Sequence, residues 1–169
     1  VPTGFQDLDK LLGGLQKSDL IVVAGRPGKG KSAFMVSVAL NAARTHNQRV
    51  ALFSLEMSNE QVMQRMVAQD SHIDSHRLRM GELEDEQMDR FIHSVNLLSD
   101  VGVYLDDTPS ISAMQLRSKS RRLAAEIKLD LIIVDYLQLM ITDLRRDSNR
   151  VQEVSEISRS LKALARELH

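Results

Sequence analysis

The sequence has no cysteine and no tryptophan, and aromatic residues make up only 4% of it. Without cysteine there is no disulfide, no thiolate nucleophile and no cysteine-based zinc site, which fits a reducing compartment. The scarcity of aromatics argues against a surface that grips nucleic-acid bases mainly by stacking. No apolar run approaches the roughly 20 residues that a membrane helix needs, and no basic stretch followed by an apolar one marks the N-terminus. Nothing therefore directs the chain out of the cytoplasm, and no membrane partner is expected. An excess of charge of one sign is missing too: 22 Lys and Arg stand against 23 Asp and Glu, for a net charge of -1. Contact with a polyanion would have to come from a local basic strip. No repeat, low-complexity tract or Pro/Gly linker interrupts the 169 residues, so 1–169 reads as a single domain.

What is present suffices for a core. Hydrophobic residues are 43% and charged residues 27%, a globular balance, and a chain of about 150 residues hides about two-thirds of its unfolded surface. Short apolar runs rich in Val and Ile alternate with longer segments whose apolar residues fall three and four apart. That alternation predicts an α/β fold, a mainly parallel sheet flanked by helices. Strands are predicted over residues 20–24, 50–55, 101–105 and 131–134. Leu131-Ile132-Ile133-Val134 is apolar without alternation, as in a strand covered on both faces. Helix starts are marked by Ser58 with Gln61, Ser112 with Gln115, and Asn149 with Gln152, each spaced as a capping pair. The last helix places Val151, Val154, Ile157, Leu161, Leu164 and Leu168 on one stripe. In an alternating pattern a strand comes next, so the domain is expected to continue beyond His169.

Gly25-Arg26-Pro27-Gly28-Lys29-Gly30-Lys31-Ser32 matches GxxxxGK[ST] in full. The context fits, with an apolar run ending at Ala24 and a helix opening near Lys31 that carries Phe34, Met35, Val38, Ala39 and Ala42 on its inner side. Glycines let successive N–H groups point into one concavity, and the helix N-terminus adds free N–H groups and partial positive charge. Residues 25–33, through Ala33, are thus expected to bind the phosphates of a nucleotide. Lys31 should contact the β- and γ-phosphates, and the Ser32 hydroxyl should coordinate Mg²⁺. Asp135, directly after the run 131–134, should emerge at the carboxyl edge of the sheet as the second magnesium residue. Tyr136 follows it, so no adjacent second acid polarises water. Glu56, ending the run 50–55, is the best-placed remaining acid to orient and deprotonate a water attacking the γ-phosphate. Its alternative is a helix-entry charge ahead of Ser58. His72 and His76 have a spacing that could clamp a metal on one helix, but no third ligand is apparent. The acidic run 82–89 reads as an exposed helix start.

Taken together, these residues resemble the motor domain of DnaB-type replicative helicases, hexameric ATPases with a RecA-like fold. The likeness begins at Pro2-Thr3-Gly4-Phe5 with Leu8-Asp9 and Gly13-Gly14-Leu15, and passes through residues 25–34. It continues in Phe53-Ser54-Leu55-Glu56-Met57, in Asp106-Asp107-Thr108-Pro109, in Val134 through Met140, and in residues 149–168. The opening and the phosphate loop are shared with archaeal recombinases and circadian-clock ATPases; the Phe53 to Met57 string, the Asp135 to Met140 string and the Ser155 to Leu168 helix favour the helicase. The resemblance implies a RecA-like P-loop NTPase core using ATP and Mg²⁺. Lys31 and Ser32 match its phosphate and magnesium residues, Glu56 its catalytic glutamate, and Asp135 its magnesium acid, acting on the metal directly or through another ligand. It also implies single-stranded DNA, a homo-hexamer, a primase and a helicase loader as partners.

Gly28-Lys29 stands where a Ser plus an apolar residue is expected, and Ser32 where Thr is, which keeps the hydroxyl. The family's γ-phosphate sensor and arginine finger would lie past His169. Two basic groups are candidates for DNA. One is on the helix from Ser112, with Arg117, Arg121 and Lys128 on one side and Lys119 and Arg122 nearby. The other is Arg145, Arg146 and Arg150, in a position that faces the central channel in the resembling hexamers. Their contacts would be sequence-independent and salt-dependent. The alternatives are a RecA-like recombinase or signalling ATPase, or, for these 169 residues alone, a nucleotide-binding module with little turnover.

Overall fold

A computed structural model describes residues 1–140 and 150–168. Arg145, Arg146 and Asn149 lie outside the described residues. The chain opens with helix α1 (Gln6–Leu12) and passes the phosphate-loop sequence into α2 (Lys31–Leu40), whose end widens into a π-helical turn over Asn41–Thr45. Strand β1 (Val50–Ser54) leads into α3 (Asn59–Ser71), α4 (Ser75–Met80) and α5 (Asp85–Ser99). Strand β2 (Val103–Asp106), α6 (Ala113–Glu126), β3 (Leu131–Asp135) and α7 (Arg150–Leu168) follow.

The sheet is parallel, with β1 between β2 and β3. Every residue of β1 is buried, because helices cover both faces. Val50 and Leu52 point into one apolar cluster, with Val36, Val62, Met66 and Leu98 of α2, α3 and α5. Ala51 and Phe53 point into the other, with Ile111, Leu116, Ile157, Leu161 and Leu164 around α6 and α7. The two-residue alternation of a strand thus feeds two cores, which is why the sequence of β1 and β3 does not alternate.

The caps of α3 and α6 form as predicted: Ser58 with Gln61, and Ser112 with Gln115, each exchange the two hydrogen bonds of a capping box. The acidic run does begin a helix, with Glu84 and Gln87 making a third box at α5. The stripe on α7 is buried at Ile157, Leu161 and Leu164, whereas Val151 at its start is 69% exposed. His72 caps the end of α3 and His76 belongs to α4, so the two do not share a helix.

One predicted strand is absent. Residues 20–24 pair with no strand among the described residues, and Ile21, Val22 and Val23 are 45%, 63% and 54% exposed. A β ladder needs a hydrogen-bonded neighbour, and among the described residues β3 makes its ladder with β1 alone. Only Leu20 joins a core, packing on the α6–α7 cluster. Among the described residues no helix is long and apolar enough to cross a membrane.

The turn after β2 is stiffened by charge. Lys119 Nζ donates to Asp106 at 2.5 Å and to Thr108 Oγ1 at 2.6 Å, and the Thr108 N–H donates to Asp106 at 2.9 Å. Burial pushes the Asp106 carboxyl up, but the hydrogen bonds from Lys119 and Thr108 outweigh it and leave the group below its ordinary value. A lowered folded pKa gives stability that is present above the unfolded pKa and lost as pH falls through the folded one. The gap in thermal unfolding midpoint between the native protein and Asp106→Asn is therefore expected to be widest near neutrality. It should close on acidification through and below the carboxylate range; a gap independent of pH would contradict the assignment.

Candidate nucleotide site

The phosphate loop begins at Gly25 and bends through a turn in which the Lys29 N–H donates to Arg26 O at 3.2 Å. Gly28 and Gly30 take φ of 73° and 86°, the left-handed region that disfavours a side chain. A Cβ at either would meet nothing within 4 Å, so conformation rather than crowding demands glycine, and the space above the loop is open. Gly30 is the N-cap of α2; no side chain caps the helix, and its first turn holds no acid. Its first N–H groups are therefore met by no capping side chain and by no acid of the helix's own first turn. Arg26, Pro27, Lys29 and Ala33 are exposed around this space.

Lys31 opens α2, and its Nζ donates to Gly25 O at 3.0 Å, folding back over the loop. Ser32 Oγ donates to Asp135 Oδ2 at 2.8 Å across 103 residues of sequence. Asp135 ends β3 and is only 6% exposed. Register places it opposite Ser54 of β1, and the Leu55 N–H donates to its carbonyl at 2.7 Å. Glu56 is exposed in the bend directly after β1, on the same carboxyl edge of the sheet. Loop, hydroxyl and both acids are thus brought to one edge, as the motif spacing predicts.

The N-terminal segment supports the site in a way that composition did not reveal. Buried Thr3 donates through its N–H and its hydroxyl, each at 2.8 Å, to Asp9 Oδ1, and the Gly4 N–H donates to Asp9 Oδ2 at 3.0 Å. The Thr3 N–H above all holds the Asp9 carboxyl below its ordinary value. Asn41 donates to Thr3 O at 3.0 Å, and Phe5 stacks on Phe34 with ring centroids 5.3 Å apart, so this knot clasps α2 just behind the loop. The signal that could have found it is an acid six residues after Thr3, in reach of its N–H. Across from it, Lys162 of α7 donates to Ser18 O at 2.8 Å and to Asp19 at 3.0 Å, holding the entry to residues 20–24.

The basic groups fare differently. Arg117 and Arg121 both pair with Glu167 of α7, at 2.6 and 2.9 Å, and Lys128 lies 3.7 Å from Asp130. Glu167 thus offsets one of the two charges it meets, and both arginines stay exposed. Arg122 is exposed beside Lys119, Thr108, Gln115 and Ser118 in a shallow cleft. Arg150 pairs with Glu153 at 2.8 Å and also donates to Gln138 O.

A glycine loop opening a helix, with its serine bonded to an acid at the end of a parallel strand, defines the class of P-loop nucleotide-binding domains. Residues 1–169 match the family of the DnaB-like helicase C terminal domain, and the chain belongs to that family. It is 50% identical over 168 residues to the replicative DNA helicase DnaB of Geobacillus stearothermophilus, covering 99% of this chain and 37% of that protein. It is 46% identical over 168 residues to the replicative DNA helicase DnaC of Bacillus subtilis (strain 168), with 99% and 37% covered.

Among solved structures, a DnaB-like replicative helicase, described with its interactions with primase, superposes with a TM-score of 0.93 at 27% identity, covering 99% of this chain and 41% of that one. A solved ATPase domain gives the same 0.93 and 27%, covering 99% and 60%. The family match sets aside the recombinase and signalling-ATPase alternatives. This chain spans 37% of the length of the Geobacillus and Bacillus relatives.

Proposed function

We propose that residues 1–169 form the RecA-like ATPase unit of a replicative DNA helicase motor, which binds ATP with Mg²⁺ and couples hydrolysis to movement along single-stranded DNA, unwinding the duplex. The observation that carries the reading is the Ser32–Asp135 hydrogen bond of 2.8 Å, which sets a hydroxyl and a buried carboxylate side by side next to the loop. Oxygen donors of this kind suit a hard cation such as Mg²⁺. Bound there, Mg²⁺ would neutralise charge on the β- and γ-phosphates.

The chain's own residues do the rest. Amides of 25–33 and the start of α2 cradle the phosphate oxygens, and Lys31 leaves the Gly25 carbonyl to meet the β- and γ-phosphates. Ser32 and Asp135 would hold the metal. Glu56 orients the attacking water and takes its proton. Arg145, Arg146 and Arg150 are the group proposed to touch DNA phosphates, with Arg122 a weaker candidate. Arg121, paired with Glu167, and Arg150, paired with Glu153, would each exchange a carboxylate for a DNA phosphate there. The working protein is proposed to be a homo-hexameric ring in the cytoplasm, with a primase and a helicase loader as partners.

Filter binding of labelled single-stranded DNA to the full-length protein tests this reading. Affinity should be higher with a nonhydrolysable ATP analogue and Mg²⁺ than without, and should fall steeply with salt. DNA affinity indifferent to nucleotide rejects it.

A further inference from the structure

Glu56 is exposed in a bend between β1 and α3, so the direction of its carboxylate depends on how the two ends of that bend are fixed. Ser54, 1% exposed, closes the near end: its hydroxyl donates to Met57 O at 2.8 Å and accepts the Met57 N–H at 3.3 Å. The Met57 side chain is buried in the first core, and the Leu55 N–H is spent on Asp135 O. Residues 54–57 thus curl around one hydroxyl and leave Glu56 on the outside.

The far end is fixed from the neighbouring strand. Asp107 follows β2, and its Oδ2 accepts the Asn59 N–H, the first of α3, at 2.9 Å. The capping box from Ser58 and Gln61 leaves the Asn59 N–H free, and by accepting it from another strand's loop Asp107 joins the loops after β1 and β2. Asp107 is itself held on a stiff turn, since the adjacent Asp106 is locked by Lys119 and by the Thr108 N–H.

We infer that Ser54 and Asp107 are positioning residues for Glu56, Ser54 by shaping the bend and Asp107 by tying the start of α3 to the end of β2. The inference rests on the role proposed above for Glu56. A carboxylate that must place one water is sensitive to small displacements, and misplacement costs rate rather than nucleotide binding.

The test measures steady-state ATP hydrolysis and binding of a fluorescent nonhydrolysable ATP analogue by the full-length protein. Ser54→Ala and Asp107→Ala are expected to lower kcat by between about 10-fold and about 100-fold, with KM and analogue affinity held within about twofold. Asp107→Asn keeps an acceptor oxygen for the Asn59 N–H and should restore kcat. Native kcat in both alanine variants, or equal losses in Asp107→Asn and Asp107→Ala, overturns the inference. Glu56→Gln in parallel separates the two levels. If it hydrolyses at the native rate, the role of Glu56 and its positioning fall together. If it is slow while the alanine variants are native, positioning alone falls.

Discussion

Lys31→Ala in the full-length protein is expected to lower ATP hydrolysis by at least about 10²–10³-fold, the loss typical when one preorganised donor to a developing negative charge is removed. The ammonium group lies 3.0 Å from the Gly25 carbonyl, tethered at the loop it is proposed to serve. An incoming triphosphate tail offers it a full negative charge in place of a neutral carbonyl, an ion pair in place of an ion–dipole contact. Because the β-phosphate is bound in the ground state as well as in the transition state, KM should rise together with the fall in kcat. The fold should survive, since Lys31 is the first residue of α2 and alanine is a good helix former. Phosphate release and the thermal unfolding midpoint, measured together, check both halves; hydrolysis within a few-fold of native would contradict the role.

Glu56→Gln is expected to fail in a different way. Gln keeps the size and a hydrogen-bond acceptor but cannot take a proton, so kcat should drop by about 10²–10⁴-fold. Glu56 is exposed and is not proposed to touch the phosphates, so KM and analogue affinity should stay near native. The pair of variants therefore separates binding from chemistry, and a Glu56→Gln protein that lost nucleotide affinity would move this residue into the phosphate site.

Much of this was legible because the deciding signals are local. A GK[ST] loop between an apolar run and a helix, an acid directly after Leu131-Ile132-Ile133-Val134, and Ser–Gln pairs three apart each specify geometry within a few residues. Periodicity then predicts which edge of the sheet the loop and acids share, and Ser32 does meet Asp135 there. What was not legible depends on distant partners. That Glu167, some 50 residues on, pairs with Arg117 and Arg121 of α6 is a contact no local pattern announces. Residues 20–24 have the composition of a covered strand, but composition does not supply a ladder partner, and none lies beside them among the described residues. Asp107 stands in a string that carries the family likeness, but only the pairing of β2 beside β1 brings it to the start of α3.

A crystal structure of the protein with a nonhydrolysable ATP analogue and Mg²⁺ tests the central claim most directly. The β- and γ-phosphates are expected to lie over residues 25–32, with the Lys31 amine transferred from the Gly25 carbonyl to phosphate oxygen and the metal on the Ser32 hydroxyl beside Asp135. A nucleotide bound elsewhere, with Lys31 still on Gly25 and Ser32 still donating to Asp135, would contradict it.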